Sequence, residues 1–596
     1  MRIAVLLCCG ALFAQEPEKQ TPENQTPEKR TIVVTGSYQA IPLEEADRSV
    51  IAIPARELAP LAGSIGDLLN LDASVDLRER APGAINSGLS IRGGSFGQSL
   101  ILWNGLRLSS VQTSNLSMDL PIPLESIAQI EILKGSGSTL YGSDATAGVL
   151  NVISKPPALS EVRFRSGFGN WGTQQQHASA AYVTKLFSQH LTLARDFSRG
   201  FMANRDYRNL SVASQTQVRQ TEVTLALNDR PYGAEQFYGN FNSWERTKGW
   251  FAGVKQGLGK KTDLLVAYRR NTDLFVLYRD RPQVFTNRHI VETWQASLRR
   301  SENLPWNARL HYGAEFLGDR IVSNNLGQHS RARSAVYAAY DIRALKRFSL
   351  TIGLRDEIYR NLQQQFNPSA GVGYWLTQRA KLRASASRAF RLPTYTDLYY
   401  RDPGNVGNPL LRPEHASTYE GGLDLSLPKE SKLAMTVFQR REKDGIDFVR
   451  RSPTDIWRAT NFQALNFTGF ESQFTVVVLK KHRIELSYTG LNGAQTVLAG
   501  QQSKYVFNYP RHSGVATWQA AWNNGLFART RIGAIERLGR TPYAVWDTFV
   551  SFQKGRVRPY LQLANITSTR YEELIGVRMP GRSFVGGLEL VLYRPR

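Results

Sequence analysis

From about residue 160 onward the chain alternates. Phe348, Leu350, Ile352 and Leu354 fall on one face of an extended segment, and Ser349, Thr351, Gly353 and Arg355 fall on the other. The same period of two returns at Val223, Leu225 and Leu227, at Val550 and Phe552, and at Phe584, Leu588, Leu590 and Leu592. In a soluble sandwich the apolar face would turn inward, whereas in a membrane barrel it turns to lipid and the polar face lines the lumen. Connection lengths separate the two. Short turns such as 257–262, 377–380, 428–431 and 553–556 alternate with longer loops such as 228–249, 271–290, 388–416, 441–467 and 490–511. That asymmetry is expected when a chain reverses on opposite sides of a membrane. About eleven long loops imply about 22 antiparallel strands, a lumen wide enough to need filling. The expected fold is an all-β transmembrane barrel over 158–596 with an N-terminal α+β plug domain inside it.

The plug is the mixed segment 36–157. Ser64 can cap a short helix through Leu71, while Leu89–Arg92, Ser99–Trp103 and Ile130–Leu133 read as short strands broken by glycine. Glycines cluster at Gly93, Gly94, Gly97, Gly105, Gly135, Gly137, Gly142 and Gly148, but no GxxxxGK[ST] pattern is present and Lys134 precedes its glycines, so a phosphate cradle is not supported. Ahead of the plug, Met1 and Arg2 lead into an apolar stretch from Ile3 to Ala14, which reads as a secretory signal over 1–14. A polar tether over 15–30 with a TPEN/TPEK repeat has too few apolar side chains to order itself. It ends in a β-branched pentad, Thr31, Ile32, Val33, Val34 and Thr35, an extended segment that a partner's sheet could capture by strand addition.

Composition narrows the function. The two cysteines, Cys8 and Cys9, both lie in the signal segment, so the exported chain works without thiols. No run of 18 apolar residues follows the N-terminus, which excludes helical spans. The formal charge of +24 would suit nucleic acid, but export and a barrel exclude that partner. Arginine and lysine can instead bind anionic lipid of the outer membrane, line the lumen and pair with plug carboxylates, and their field could also draw in an anionic chelate. The eight histidines are scattered, with no metal-binding pair at helical spacing and none beside a GxSxG serine, so the chain does not read as an enzyme.

Particular motifs sharpen this reading. Ile91-Arg92-Gly93-Gly94, Trp103-Asn104-Gly105-Leu106-Arg107-Leu108, the run from Gly135 to Ala145 and Ala147 to Ile153 resemble the plug motifs of TonB-dependent outer-membrane receptors. Arg391-Leu392-Pro393-Thr394, Gly407 to Glu414, and Asn565-Ile566 through Pro580 to Ser583 resemble that family's barrel motifs. Within the family the plug is most similar to that of cobalamin receptors, chiefly in Leu140 to Ala145 and in Asn104 to Pro121. The resemblance implies a monomeric active transporter of a bacterial outer membrane. Its pentad 31–35 would be the TonB box, pulled by TonB and its inner-membrane motor proteins. Cobalamin is the first expected cargo and a ferric siderophore the alternative; a passive porin or a rim hydrolase is disfavoured. The resemblance would also allow calcium, but the early loops offer only Asp206, Asp229 and Glu235, which argues against it. The chain further departs from the family in adding Arg594-Pro595-Arg596 after an aromatic Tyr593.

The cargo is expected between plug apex and long loops. Ser95, Phe96 and Gln98 in one plug loop and Gln112, Thr113, Ser114 and Asn115 in another offer polar groups without bulky charge. Above them Tyr238 and Trp244, with Phe237 and Phe241, and Tyr395 and Tyr399, with Tyr400, could close aromatic surface over it.

Overall fold

Strand polarity closes the chain into a ring. The computed structural model describes residues 32–35, 40–345, 347–359, 363–479, 481–495 and 500–593. The expected signal and tether, Thr31, and the tail 594–596 lie outside the described residues. Twenty-two long antiparallel strands run from Glu161–Gly169 to Ser583–Tyr593, and the last pairs with the first, so the barrel has no open edge. Ile352 and Leu354 are each 45% exposed on the outside, while Ser349 and Arg355 on the alternate face are buried against the lumen contents. Lipid-facing leucines and lumen-facing charges therefore follow from one period of two. No helix among the described residues is long and apolar enough to cross a membrane; the crossing is made by strands.

The long loops differ from the expected boundaries. Thr221–Glu235 and Asn242–Leu258 carry strand far into 228–249, and Ser431–Arg450 and Trp457–Val478 do the same in 441–467. A strand of 22 residues is about twice what the bilayer requires. Beyond the membrane both faces meet water or protein, so the apolar alternation fades. The backbone still satisfies its amides and carbonyls by pairing with its neighbours. The pairing persisted where the side-chain signal did not.

Inside the ring sits a sheet of five strands in the order Val50–Ile53, Ile127–Lys134, Gly148–Ser154, Ser99–Trp103 and Leu106–Arg107, with a second pair, Val75–Arg78 and Gly88–Ile91. Ser64 caps the helix Ile65–Leu69 as expected, in a reciprocal box with Asp67, and the helix ends at Asn70 rather than continuing to Leu71. Leu69, Ile91, Ile101, Trp103, Ile130 and Val152 form the core of this domain, which continues onto the wall at Phe251 and Leu265.

Elsewhere the plug meets the wall through charge, because the strands present their polar face inward. Arg92 reaches both Glu471 and Glu420 at 2.8 Å, Lys134 lies 3.3 Å from Glu471, and Asp119 accepts from Asn228 at 2.8 Å. Asp76 accepts from Arg78 at 2.7 Å and from Arg537 at 2.7 Å. Burial opposes ionisation of the Asp76 carboxyl, but the two guanidiniums more than offset it and hold the group well below the usual carboxylate range. Contact is close: a Cβ on Gly97 would crowd the guanidinium of Arg391, which would have to shift.

Candidate functional site

At the short-turn end the described part of the pentad is docked on the plug. Ile32–Val33 pairs antiparallel with Ile41–Pro42, and Val33 is buried with Ile41 and Ala46. The backbone then turns toward one carboxylate. Glu131 Oε2 accepts from the amides of Val34 at 2.9 Å and Thr35 at 2.6 Å. Gln129 Nε2 donates to the Ile32 carbonyl at 2.9 Å, and Asn151 Nδ2 to Thr35 Oγ1 at 3.0 Å. Three residues on two adjacent plug strands thus hold a segment of only four described residues. Ile32 and Val34 face a cavity of about 2380 Å³ between plug and wall, which Glu131, Lys260 and Lys429 also line. These bonds hold the described segment, and one side of it faces open space.

At the opposite end the apex is covered. The loop 388–416 folds inward as a short helix, Tyr395–Tyr399, capped reciprocally by Thr394 and Asp397. Its first amides dock on the plug: Tyr395 donates to the Val111 carbonyl at 3.0 Å and Thr396 to the Gln112 carbonyl at 2.9 Å. The Gln112 side chain donates to Asp273 on the wall at 2.7 Å. Tyr395 is buried, with its hydroxyl on Asp319 at 2.6 Å and the Arg331 guanidinium 4.5 Å over its ring. Tyr399 stacks on His329 with centroids 3.7 Å apart. Thr113 caps the turn Ser114–Leu116, and Thr113, Ser114 and Asn115 remain partly exposed.

The other predicted residues have different surroundings. The Ser95 amide donates to Gln98 Oε1 at 2.8 Å, and Gln98 donates onward to Glu414 at 3.0 Å and Glu442 at 3.2 Å, so Gln98 ties the plug to its seat. Phe96 is buried under Arg78 and beside Tyr505. Tyr238 donates to Glu245 at 2.8 Å and accepts from Asn86 of the plug at 2.6 Å, which ties its loop to the apex. Trp244 alternates with inward-facing Ser243 and Glu245 and stands on the outer face of the wall, away from the apex. Asp319, His329 and Arg331, which hold the inward helix, were not among the residues singled out from the sequence. They lie in two strands, Ala308–Ser323 and Gly327–Leu345, whose inward positions could have been marked by carrying the period of two outward past the membrane.

Between apex and helix there is room for about one water: a crevice of ≈ 30 Å³ bounded by Ser110, Val111, Ser114, Asp144, Arg331 and Thr394. A solute of cobalamin size does not fit this crevice. The acids weighed for calcium have partners of their own, Asp206 in Arg279, Asp229 in Arg246 and Glu235 in Asn204.

Comparison with known proteins follows the same division of the chain. Residues 170–567 match the family model "TonB dependent receptor-like, beta-barrel" and residues 42–149 the "TonB-dependent Receptor Plug Domain". The chain is 26% identical to the vitamin B12 transporter BtuB of Vibrio vulnificus over 418 residues, 66% of this chain and 67% of that one. It is 25% identical over 575 residues to an iron-regulated outer membrane virulence protein of Vibrio cholerae, covering 84% of each. Among solved structures it superposes on the siderophore receptor PirA of Acinetobacter baumannii with a TM-score of 0.73 at 14% identity, covering 91% of this chain and 98% of that chain.

Proposed function

Since the chain belongs to the TonB-dependent receptor family, and is a transporter of the outer membrane, we propose that it captures a scarce, large metal-bearing solute outside and releases it inward when TonB pulls on residues 31–35. Cobalamin is the first candidate cargo. The observation that supports the coupling part is the docked strand: the outer membrane holds no nucleotide, so work must arrive mechanically, and Ile32–Val33 is an extended segment on the plug beside a cavity. Its β-pairing with Ile41–Pro42 is also the geometry a partner strand would replace.

The cargo part rests on chemistry at the apex. Thr113, Ser114 and Asn115 present hydroxyls and an amide without a formal charge, which suits an amide-rich neutral corrinoid. The BtuB likeness supports the same choice. A second reading, a ferric siderophore, draws on Arg331 beside Tyr395, on the exposed arginines Arg279 and Arg281, and on the iron-regulated relative.

Titration calorimetry of the purified receptor separates the two. Cyanocobalamin, with and without calcium, should bind with a submicromolar dissociation constant; a silent cobalamin titration beside a saturable ferric-siderophore signal would replace it with the second reading. Replacing 112–115 by Gly-Ala repeats should weaken the productive titration at least tenfold while the barrel remains heat-resistant.

A further inference from the structure

The outer wall carries cations of two kinds. Some are satisfied within the chain: Arg246 pairs with Asp229 at 2.7 Å and Arg270 with Glu292 at 3.2 Å. Others are not. Arg388, Arg441 and Lys443 are exposed, and among the described residues none of them has a carboxylate within 4.0 Å. They occupy two strands, Ala380–Arg391 and Ser431–Arg450, which flank a third, Glu414–Leu427.

Register places them together on the outside. Arg388 is opposite Ser417, which is opposite Arg441, so the two arginines flank one strand at about 10 Å. His415, two residues from Ser417 on the same face, is directly opposite Lys443. The orientation is fixed by the alternate residues: Arg440 donates to the plug carbonyl of Arg92, Glu442 accepts from Gln98, and Glu420 holds Arg92, all inward. Below the cluster, toward the short turns, the same faces carry Tyr419, with the Arg441 guanidinium 6.0 Å from its ring, and then Leu382, Met435 and Val437, all exposed. The cations therefore stand one step above the aromatic level that marks the membrane boundary, on the side of the long loops.

We propose that this cluster binds the phosphate groups of a phosphorylated glycolipid of the outer leaflet. At this height the chemistry available is headgroup, and two guanidiniums and an ammonium without a carboxylate partner, Arg441 donating to Gln439 at 3.0 Å, attract an anion. Guanidiniums match phosphate oxygens in pairs, the ammonium adds a point charge, and Tyr419 offers an amphipathic ring at the level where sugar gives way to acyl chain. The proposal rests on the barrel being embedded, as in the transport reading, but not on its cargo or on TonB.

Native mass spectrometry of the full receptor tests it. The probes are a bisphosphorylated hexa-acyl disaccharide lipid, the same lipid stripped of both phosphates, and phosphatidylglycerol. The variant is Arg388→Gln/Arg441→Gln/Lys443→Gln, with Lys185→Gln/Arg219→Gln at the short-turn end as control and heat-modified mobility reporting a folded barrel. The triple variant should require at least tenfold more bisphosphorylated lipid for half-occupancy, while the control and the stripped lipid show no such shift. Lys443→Gln alone, a change at an exposed position, should give an intermediate shift and serves if the triple variant fails to assemble. Equal binding by wild type and variant would overturn the proposal, as would phosphatidylglycerol occupying the site with the same affinity and the same dependence on these residues. Because neither result touches cargo titration or uptake, the transport reading would stand or fall separately.

Discussion

Single side chains decide how firmly the plug is seated. Asp76 is buried and held by Arg78 and Arg537, the second reaching in from the wall. A carboxyl held below its usual range contributes stability at all pH values above the ordinary carboxylate range, and that contribution is lost only as pH falls through the depressed folded value. Arg537→Met should remove about 3 kcal/mol near neutral pH by leaving a buried carboxylate short of one partner. Near pH 3 the folded Asp76 is still ionised, so most of the penalty should persist there, and it should fade only as the pH drops toward the depressed folded value. Hydrogen exchange of Val75–Arg78 at neutral pH and near pH 3 measures it; a penalty already lost near pH 3 would mean that the two guanidiniums do not hold Asp76 below the usual carboxylate range.

At the scale of elements, the proposed function has residues 31–35 exchange between plug and partner. Charge-assisted bonds from two amides to Glu131 favour the docked side. Glu131→Ala should remove about 1.5–3 kcal/mol of that preference and raise reaction of a cysteine placed at Thr35 with a bulky thiol reagent by at least fivefold without ligand. Unchanged reactivity would show that pairing with Ile41–Pro42 alone holds the strand. The extended segment Ile32–Val33 was legible in the sequence because β-branching is a local signal, whereas Glu131 was not, since its contact is with residues nearly a hundred positions away. The same contrast holds in the barrel. Phe348 to Arg355 announced their faces by alternation, but Arg331 and His329 lie where strands have left the lipid and the apolar half of the pattern is gone. Trp244 was grouped with Tyr238 by sequence proximity, yet the strand between them sends the tryptophan outward.

At the scale of the molecule, a filled lumen carries a solute only if something moves, and both ends are closed in different ways. Outside, the helix Tyr395–Tyr399 is docked on the plug carbonyls of Val111 and Gln112; below, the pentad is latched on Glu131. Linkage requires that a cargo which favours a released pentad is itself bound more tightly when the pentad is released. The central claim is that energy enters through residues 31–35, and Val33→Pro addresses it directly because proline removes a strand donor without altering the apex. Uptake of the cargo identified by calorimetry should be measured in cells with equal surface levels of wild type and Val33→Pro, with and without dissipation of the inner-membrane potential. The account predicts wild-type binding and uptake by Val33→Pro no greater than that of de-energised wild-type cells; accumulation at the wild-type rate would contradict it.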